Sequence, residues 1–221
     1  MPLFGPVHLS LLCASAALAI LLCWLCRTGR VSKPAVRLVF GYGLILNEFG
    51  WWYFRYSQEG LRITNLPLQL CDISLWATIA ACILLKPILV EFAYFAGIAG
   101  AGMALITPDL WSPWPSYPAI YFFVAHGGIV IANLVLIFGG IAALRPGAIW
   151  RAFGILLLLA CCIGIFDAVF KTNYMYLREK PKSATLLDAF GPWPLYLVVA
   201  FGLALVLYAL LWLPARKTLT R

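Results

Sequence analysis

Charge is what this chain has least of. Charged residues make up 11% of its 221 positions, 16 Lys and Arg against 8 Asp and Glu, where soluble domains carry roughly a quarter. That scarcity excludes a water-exposed globular surface, and a hydrophobic share of 64% is more than a soluble core of this length can use. Apolar–polar alternation of period two is missing as well. Runs such as the one from Gly154 to Phe166 are apolar throughout, which argues against a transmembrane barrel and for helices that satisfy their own backbone hydrogen bonds. No disulfide framework is present. Of seven cysteines, Cys13, Cys23, Cys26, Cys82, Cys161 and Cys162 sit inside apolar runs and read as small hydrophobes. Cys23-Trp24-Leu25-Cys26 has the C-x-x-C spacing, but it lacks a second ligand pair and a strand–helix context, so no metal and no cofactor is expected. Nor is there a basic–aromatic module for nucleic acid. The net charge of +8 points instead to anionic lipid headgroups.

What is there is seven long apolar stretches. A helix needs about 20 apolar residues to cross roughly 30 Å of hydrocarbon, and the hydropathy predicts spans near 5–26, 36–55, 68–86, 90–107, 118–142, 150–170 and 191–213. The expectation is an all-α fold: one transmembrane domain over 1–221, a polytopic seven-transmembrane-helix bundle. Ala14-Ser15-Ala16 resembles a signal cleavage site, yet Arg27, Arg30 and Lys33 follow the apolar run instead of preceding it, so an uncleaved first helix is expected.

Basic residues set the orientation, because positive loops stay on the cytoplasmic side. Ten of the sixteen (Arg27, Arg30, Lys33, Arg37, Lys86, Arg145, Arg151, Arg216, Lys217, Arg221) follow helices one, three and five or lie in the C-terminal tail. The other side has Arg55, Arg62, Lys171, Arg178, Lys180 and Lys182, and the segment 108–118 has none. The N-terminus is expected outside and the C-terminus in the cytoplasm.

At about 1.5 Å of rise per residue, this orientation brings the polar residues together in the outer half. Cys71, Asp72 and Asp167 fall about 5 Å inside their helices, Asn47 and Glu48 about 10 Å, and His126 about 12 Å, with His8 starting the first helix on the same side. Ionisable groups in hydrocarbon usually face a bundle interior or a watery cavity, and an outward-opening cavity follows. A thiol, an imidazole and carboxylates at one depth are the types nucleophilic catalysis requires. The candidate catalytic residues are Cys71, His126 and Asp72. Singly, each has a plainer role: Glu48, Asp167 and His126 as hydrogen bonds between helices, Cys71 as packing beside a carboxylate that disfavours its thiolate. Gly127 and Gly128 suit close approach of a lipid chain or simple helix packing.

The outer rim is aromatic, with Trp51-Trp52-Tyr53-Phe54, Trp111-Ser112-Pro113-Trp114-Pro115-Ser116-Tyr117, Asn173-Tyr174-Met175-Tyr176 and Gly191-Pro192-Trp193-Pro194-Leu195-Tyr196. Interfacial Trp and Tyr anchor membrane proteins, prolines stiffen the segments that carry them, and such a rim also suits a choline-type headgroup. The long connection 171–189 carries a basic stretch around Arg178 and Lys180, suited to a solvated loop or to holding a phosphate.

Leu66-Pro67-Leu68-Gln69-Leu70-Cys71-Asp72-Ile73, Thr107-Pro108-Asp109-Leu110, Ser116-Tyr117 with His126-Gly127-Gly128, Asn173-Tyr174-Met175-Tyr176-Leu177 with Lys180-Pro181, and Gly191-Pro192-Trp193-Pro194 resemble, in order from Glu48 to Leu213, the YwaF-like integral membrane family of bacteria. That family is distantly similar to a eukaryotic transmembrane acyltransferase that remodels ether phospholipids through a cysteine and a histidine. The resemblance implies a multi-pass protein of the bacterial cytoplasmic membrane. It also marks two departures: the bacterial pattern has histidine where this chain has Gln69, and the eukaryotic nucleophile corresponds to Leu68. A glutamine hydrogen-bonds but does not shuttle protons.

Two functions follow, beside a third possibility, a scaffold with no site of its own. One is acyl transfer or hydrolysis of a lipid in the outer leaflet, with Cys71 or an activated water as nucleophile, His126 as base, and Gln69 and Asn173 as oxyanion donors. The other is a transporter or binding protein in which Glu48 and Asp167 couple protons. Asn47, Tyr174 and Lys180 complete the expected substrate-binding set. Membrane lipids and a small-molecule or phospholipid substrate are the expected partners, nucleic acid is not, and the oligomeric state is left open.

Overall fold

The structure is a computed structural model that describes residues 2–110, 112–181 and 185–218; Trp111, Lys182 and Arg221, named above, lie outside the described residues. Helices account for 77% of the described residues, with no strand among them. The long ones are α1 (Pro6–Arg27), α2 (Lys33–Glu59), α3 (Leu70–Leu84), α4 (Pro87–Ile106), α5 (Tyr117–Phe138), α6 (Ala148–Phe170) and α7 (Leu195–Ala215). Of these, α1, α4, α5, α6 and α7 are long and apolar enough to cross a membrane. The protein is an all-α, multi-pass membrane protein.

Local chemistry sets the helix ends. Proline stands in the first turn of α1, α2, α4 and α5, where its missing N–H is no loss, and the Ser32 and Ser116 hydroxyls accept the Ala35 and Ala119 N–H groups as N-caps. At the other end of α2, Gly60 takes φ +69. The expected fifth span ran to 142; α5 ends at Phe138, where Gly140 turns the chain at φ +70. Residues 191–194 stay outside α7.

The core sits around α4. Residues Ala93–Gly97 form a wider π turn inside it, every one of them buried. Tyr94 donates its hydroxyl to the Leu211 carbonyl of α7 at 2.9 Å, Phe95 packs on Tyr208, and Gly97 lies under Ile129 of α5. A second cluster joins Leu44, Leu75, Ile79, Tyr121, Ala125 and Ile129 across α2, α3 and α5. Gly128 faces Leu44 and Gly127 faces Ser15 of α1, so both glycines serve helix packing. At the N-terminal end of α1, His8 Nδ1 accepts the Phe4 N–H, so Nε2 carries the proton and donates to the Leu105 carbonyl at 2.7 Å; α1 is thereby fastened to the end of α4.

Basic residues collect at the opposite end. Arg27 and Lys33 donate to the Phe138 and Gly140 carbonyls, and Arg37 to Cys82 and Ile83 at 2.6 and 2.9 Å, so cations neutralise carbonyls that helix ends leave without partners. Glu91 adds a carboxylate there, fully buried and bonded to both Arg145 and Arg151 at 2.8–3.0 Å.

Candidate functional site

The segment that opens α3 is held from both sides. Gln69 is its N-cap: its side-chain oxygen accepts the Asp72 N–H, while Asp72 Oδ2 accepts the Gln69 N–H at 3.2 Å, the reciprocal pair of a capping box. The same Gln69 oxygen accepts the Met175 N–H at 2.8 Å. Tyr174, 4% exposed, donates its hydroxyl to the Ile63 carbonyl at 2.7 Å and accepts the Leu66 N–H at 2.8 Å. Burial pushes the Tyr174 phenol above its ordinary pKa, which keeps the proton needed for the first of those bonds.

Asp167 positions Tyr174 in turn. Its Oδ1 accepts the Thr172 hydroxyl at 2.6 Å and the Tyr174 N–H at 3.0 Å, so this carboxylate fastens the turn that leaves α6. Its Oδ2 is buried with no hydrogen-bond partner among the described residues. Asn173 shapes the same loop: Oδ1 accepts the Arg178 and Glu179 N–H groups and Nδ2 donates to the Glu179 carbonyl. Met175 and Tyr176 both take positive φ, 53° and 54°, a conformation that side chains resist and surroundings must enforce. Lys180 lies over the Tyr196 ring and reaches the Asp188 carbonyl.

A second polar group centres on α2. Glu48 is buried and accepts the Trp52 indole N–H at 3.0 Å and the Tyr121 hydroxyl at 2.7 Å; Trp51 stacks on Tyr121 with centroids 4.2 Å apart. Glu48 and Asp72 line one cleft together with Trp52, Arg55, Asn65 and Pro67, and its volume of about 20 Å³ fits a single water. Arg55 is fixed beside it by Glu59 at 3.1 Å, and the Arg55 and Asn65 hydrogen bonds hold the Glu59 carboxyl below its usual pKa. The Asn47 Nδ2, on the same helix, is buried without a hydrogen bond among the described residues.

Cys71 stands in the first turn of α3, partly buried. His126 lies on α5, its ring against Phe122 at 4.2 Å between centroids. Because a carbonyl only accepts, the 2.8 Å contact from His126 Nδ1 to the Phe122 oxygen makes Nδ1 the protonated nitrogen and leaves the lone pair on Nε2. α3 and α5 pack together, and no hydrogen bond joins Cys71, His126 and Asp72 among the described residues. No cluster of three or more His, Cys, Asp or Glu able to hold a metal ion occurs there either.

The motifs that meet here, the α3 entry and the Asn173 loop, lie inside the stretch 3–212 matched by the model of the TMEM164 family. The chain belongs to the TMEM164 family. No curated protein and no solved structure matches it.

In this TMEM164-family protein, residue types and depth do not reveal two participants of the site, Tyr121 and Trp52, nor the pairing of Glu91 at the opposite end. Tyr121 is one aromatic among many until α5 turns it onto Glu48. Trp52 reads as an interfacial anchor, although its i, i+4 spacing from Glu48 is the one signal that could have paired them. Glu91, inside the fourth apolar stretch, is matched by Arg145 and Arg151 only through tertiary contact.

Proposed function

We propose that this TMEM164-family protein is a lipid-modifying enzyme that acts by acyl transfer or hydrolysis in the outer leaflet. The observation that supports this best is the bracing of the α3 entry by the 173–177 loop, which fixes the backbone around Cys71 through Tyr174 and Gln69. The tautomer of His126 is a second support, since Nε2 has the lone pair a general base requires.

In this reading His126 Nε2 takes the proton of the Cys71 thiol, or of a water, as sulfur or oxygen bonds to an ester carbonyl carbon. The Gln69 amide N–H groups, left over once its oxygen is engaged, donate to the developing oxyanion. The alcohol leaves with the proton from the imidazolium; where sulfur attacks, a second alcohol or water then releases the acyl group from the thioester, and where water attacks, the free acid is the product. Asp72 holds Gln69 in place. Glu48, Asn47, Asp167, Asn173, Tyr174 and Lys180 border the polar part of the substrate. The membrane topology is seven spans, with α2 and α3 joining the five apolar helices and residues 66–69 completing the short α3. The basic end is cytoplasmic, so the N-terminus is outside and the C-terminus inside. The motif resemblance favours a YwaF-like bacterial branch and the cytoplasmic membrane.

One observation favours a second reading, a transporter or binding protein: Glu48 and Asp72 share a cleft beside Arg55, an arrangement suited to proton coupling. The two separate by lipid mass spectrometry on protein in liposomes of defined phospholipid and lysophospholipid, with Cys71→Ala and His126→Ala beside wild type. Acyl products that vanish with His126→Ala support the enzyme, and the Cys71 variant tells thiol from water. Absence of turnover by folded protein favours transport, to be tested with Glu48→Gln.

A further inference from the structure

Beside the 171–181 loop, α6 and α7 border an apolar groove of about 480 Å³. Its floor on α6 consists of small residues, Ala160, Gly164 and Ala168, one turn apart, and its far wall on α7 is Leu197 and Phe201. The side chains flanking it point outward: Leu158, Ile165 and Val169 on α6 and Val198 and Val206 on α7 are all more than half exposed, as befits faces that meet lipid.

Length and charge say what fills it. From Leu157 to Ala168 the groove follows α6 for about 16 Å at 1.5 Å per residue, close to half of the roughly 30 Å hydrocarbon core and so the depth of one leaflet. At its mouth lie Arg178 and Trp193. Trp193 is 62% exposed and donates its indole N–H to the Leu177 carbonyl, the placement of an interfacial anchor. Arg178 is fixed by Nη1, which donates to the Asp167 and Thr172 carbonyls. It makes no ion pair among the described residues, where the three present involve Arg55, Arg145 and Arg151. Arg178 is otherwise exposed, so the rest of its planar fork of donors can take a phosphate by charge-assisted hydrogen bonds. Any open groove in a bilayer admits an acyl chain; a guanidinium fixed at its mouth selects the headgroup above that chain.

We propose that the α6–α7 groove is a binding site for an anionic phospholipid, one acyl chain lying along Gly164 and the phosphate on Arg178. The groove shares the 171–181 loop with the candidate site, since Arg178 bonds to Asp167 and Asn173, but its lipid occupancy does not depend on the catalytic reading.

The test is native mass spectrometry of the delipidated full-length protein in mild detergent, titrated with phosphatidylglycerol or phosphatidylcholine. Wild type retains one phosphatidylglycerol with about tenfold preference over phosphatidylcholine, whose choline cation repels the guanidinium and offsets the charge of the phosphate that both lipids carry. Arg178→Gln brings that ratio near one, and Arg178→Lys keeps most of it. Gly164→Phe and Ala168→Phe, which fill the groove, each lower retention of both lipids; an unchanged elution volume shows that the variants remain folded. An unaltered preference in Arg178→Gln, or unaltered retention in both filled variants, overturns the proposal. So does glycerol phosphate competing as strongly as the whole lipid, which would make Arg178 a free-anion site. A wild-type dimer that Gly164→Phe dissociates would overturn it too, and would assign the groove to a second copy of the chain.

Discussion

Gln69 and Met175 lie 106 residues apart and are joined by one hydrogen bond of 2.8 Å, from the Met175 N–H to the Gln69 side-chain oxygen. That oxygen also caps α3, so a single atom ends one motif and seats another. Removing it with Gln69→Ala loses both bonds. The expected destabilisation is about 1–3 kcal/mol, read as a lower thermal midpoint in detergent, with faster proteolysis in the 171–181 loop. Equal midpoints and equal cleavage would show that the loop is held by other contacts.

Tyr174→Phe deletes the hydroxyl that bridges Ile63 and Leu66, leaving a buried carbonyl and N–H without that partner. About 1–3 kcal/mol is expected here too. Because Tyr174 and Gln69 pin the same loop, the double variant should lose less than the sum of the single ones; strict additivity would mean that the two anchors act independently.

Glu91→Leu leaves Arg145 and Arg151 without their shared carboxylate. A fully buried pair broken on one side costs 3–5 kcal/mol. Both guanidinium groups keep water contact here, with side chains 42% and 36% exposed, so about 2 kcal/mol is expected. Denaturation of Glu91→Leu against Glu91→Gln measures it, and Gln should recover part of the loss by keeping a hydrogen-bond acceptor. A stable Glu91→Leu protein would make the clasp dispensable.

Gly97→Val tests the π turn in α4. A Cβ there would stand 2.9 Å from Ile129 Cγ2 and 3.3 Å from Asn133 Nδ2, closer than packed atoms tolerate, so α4 and α5 must separate. Overpacking of this kind costs about 1–3 kcal/mol. Gly102→Val in the same helix, where a Cβ meets nothing within 4 Å, is the control and should unfold near wild type; equal loss in both would point to helix propensity instead of contact.

Composition was enough for the fold class. Scarce charge and apolar runs of about 20 residues leave helices as the economical way to satisfy backbone groups in hydrocarbon, and Pro6, Pro34, Pro87 and Pro118 mark four helix starts by local chemistry alone. The candidate site was legible only as residue types at a common depth. Asp167 carried no sign that it fastens its own loop, because the Thr172 and Tyr174 bonds arise from a left-handed Lys171 at the end of α6. Tyr121 lies 73 residues from Glu48, beyond any periodicity.

By itself, then, the sequence determined that this chain is helical, multi-pass and basic at its helix ends, since hydropathy and capping act within a few residues. Tertiary structure alone decided which polar groups meet: Tyr174 with Ile63 and Leu66, Tyr121 with Glu48, Glu91 with Arg145 and Arg151. The rotation of each helix about its axis sets those pairings. That rotation is a balance of packing over the whole bundle, to which a small-residue contact such as Gly128 on Leu44 contributes alongside the charges.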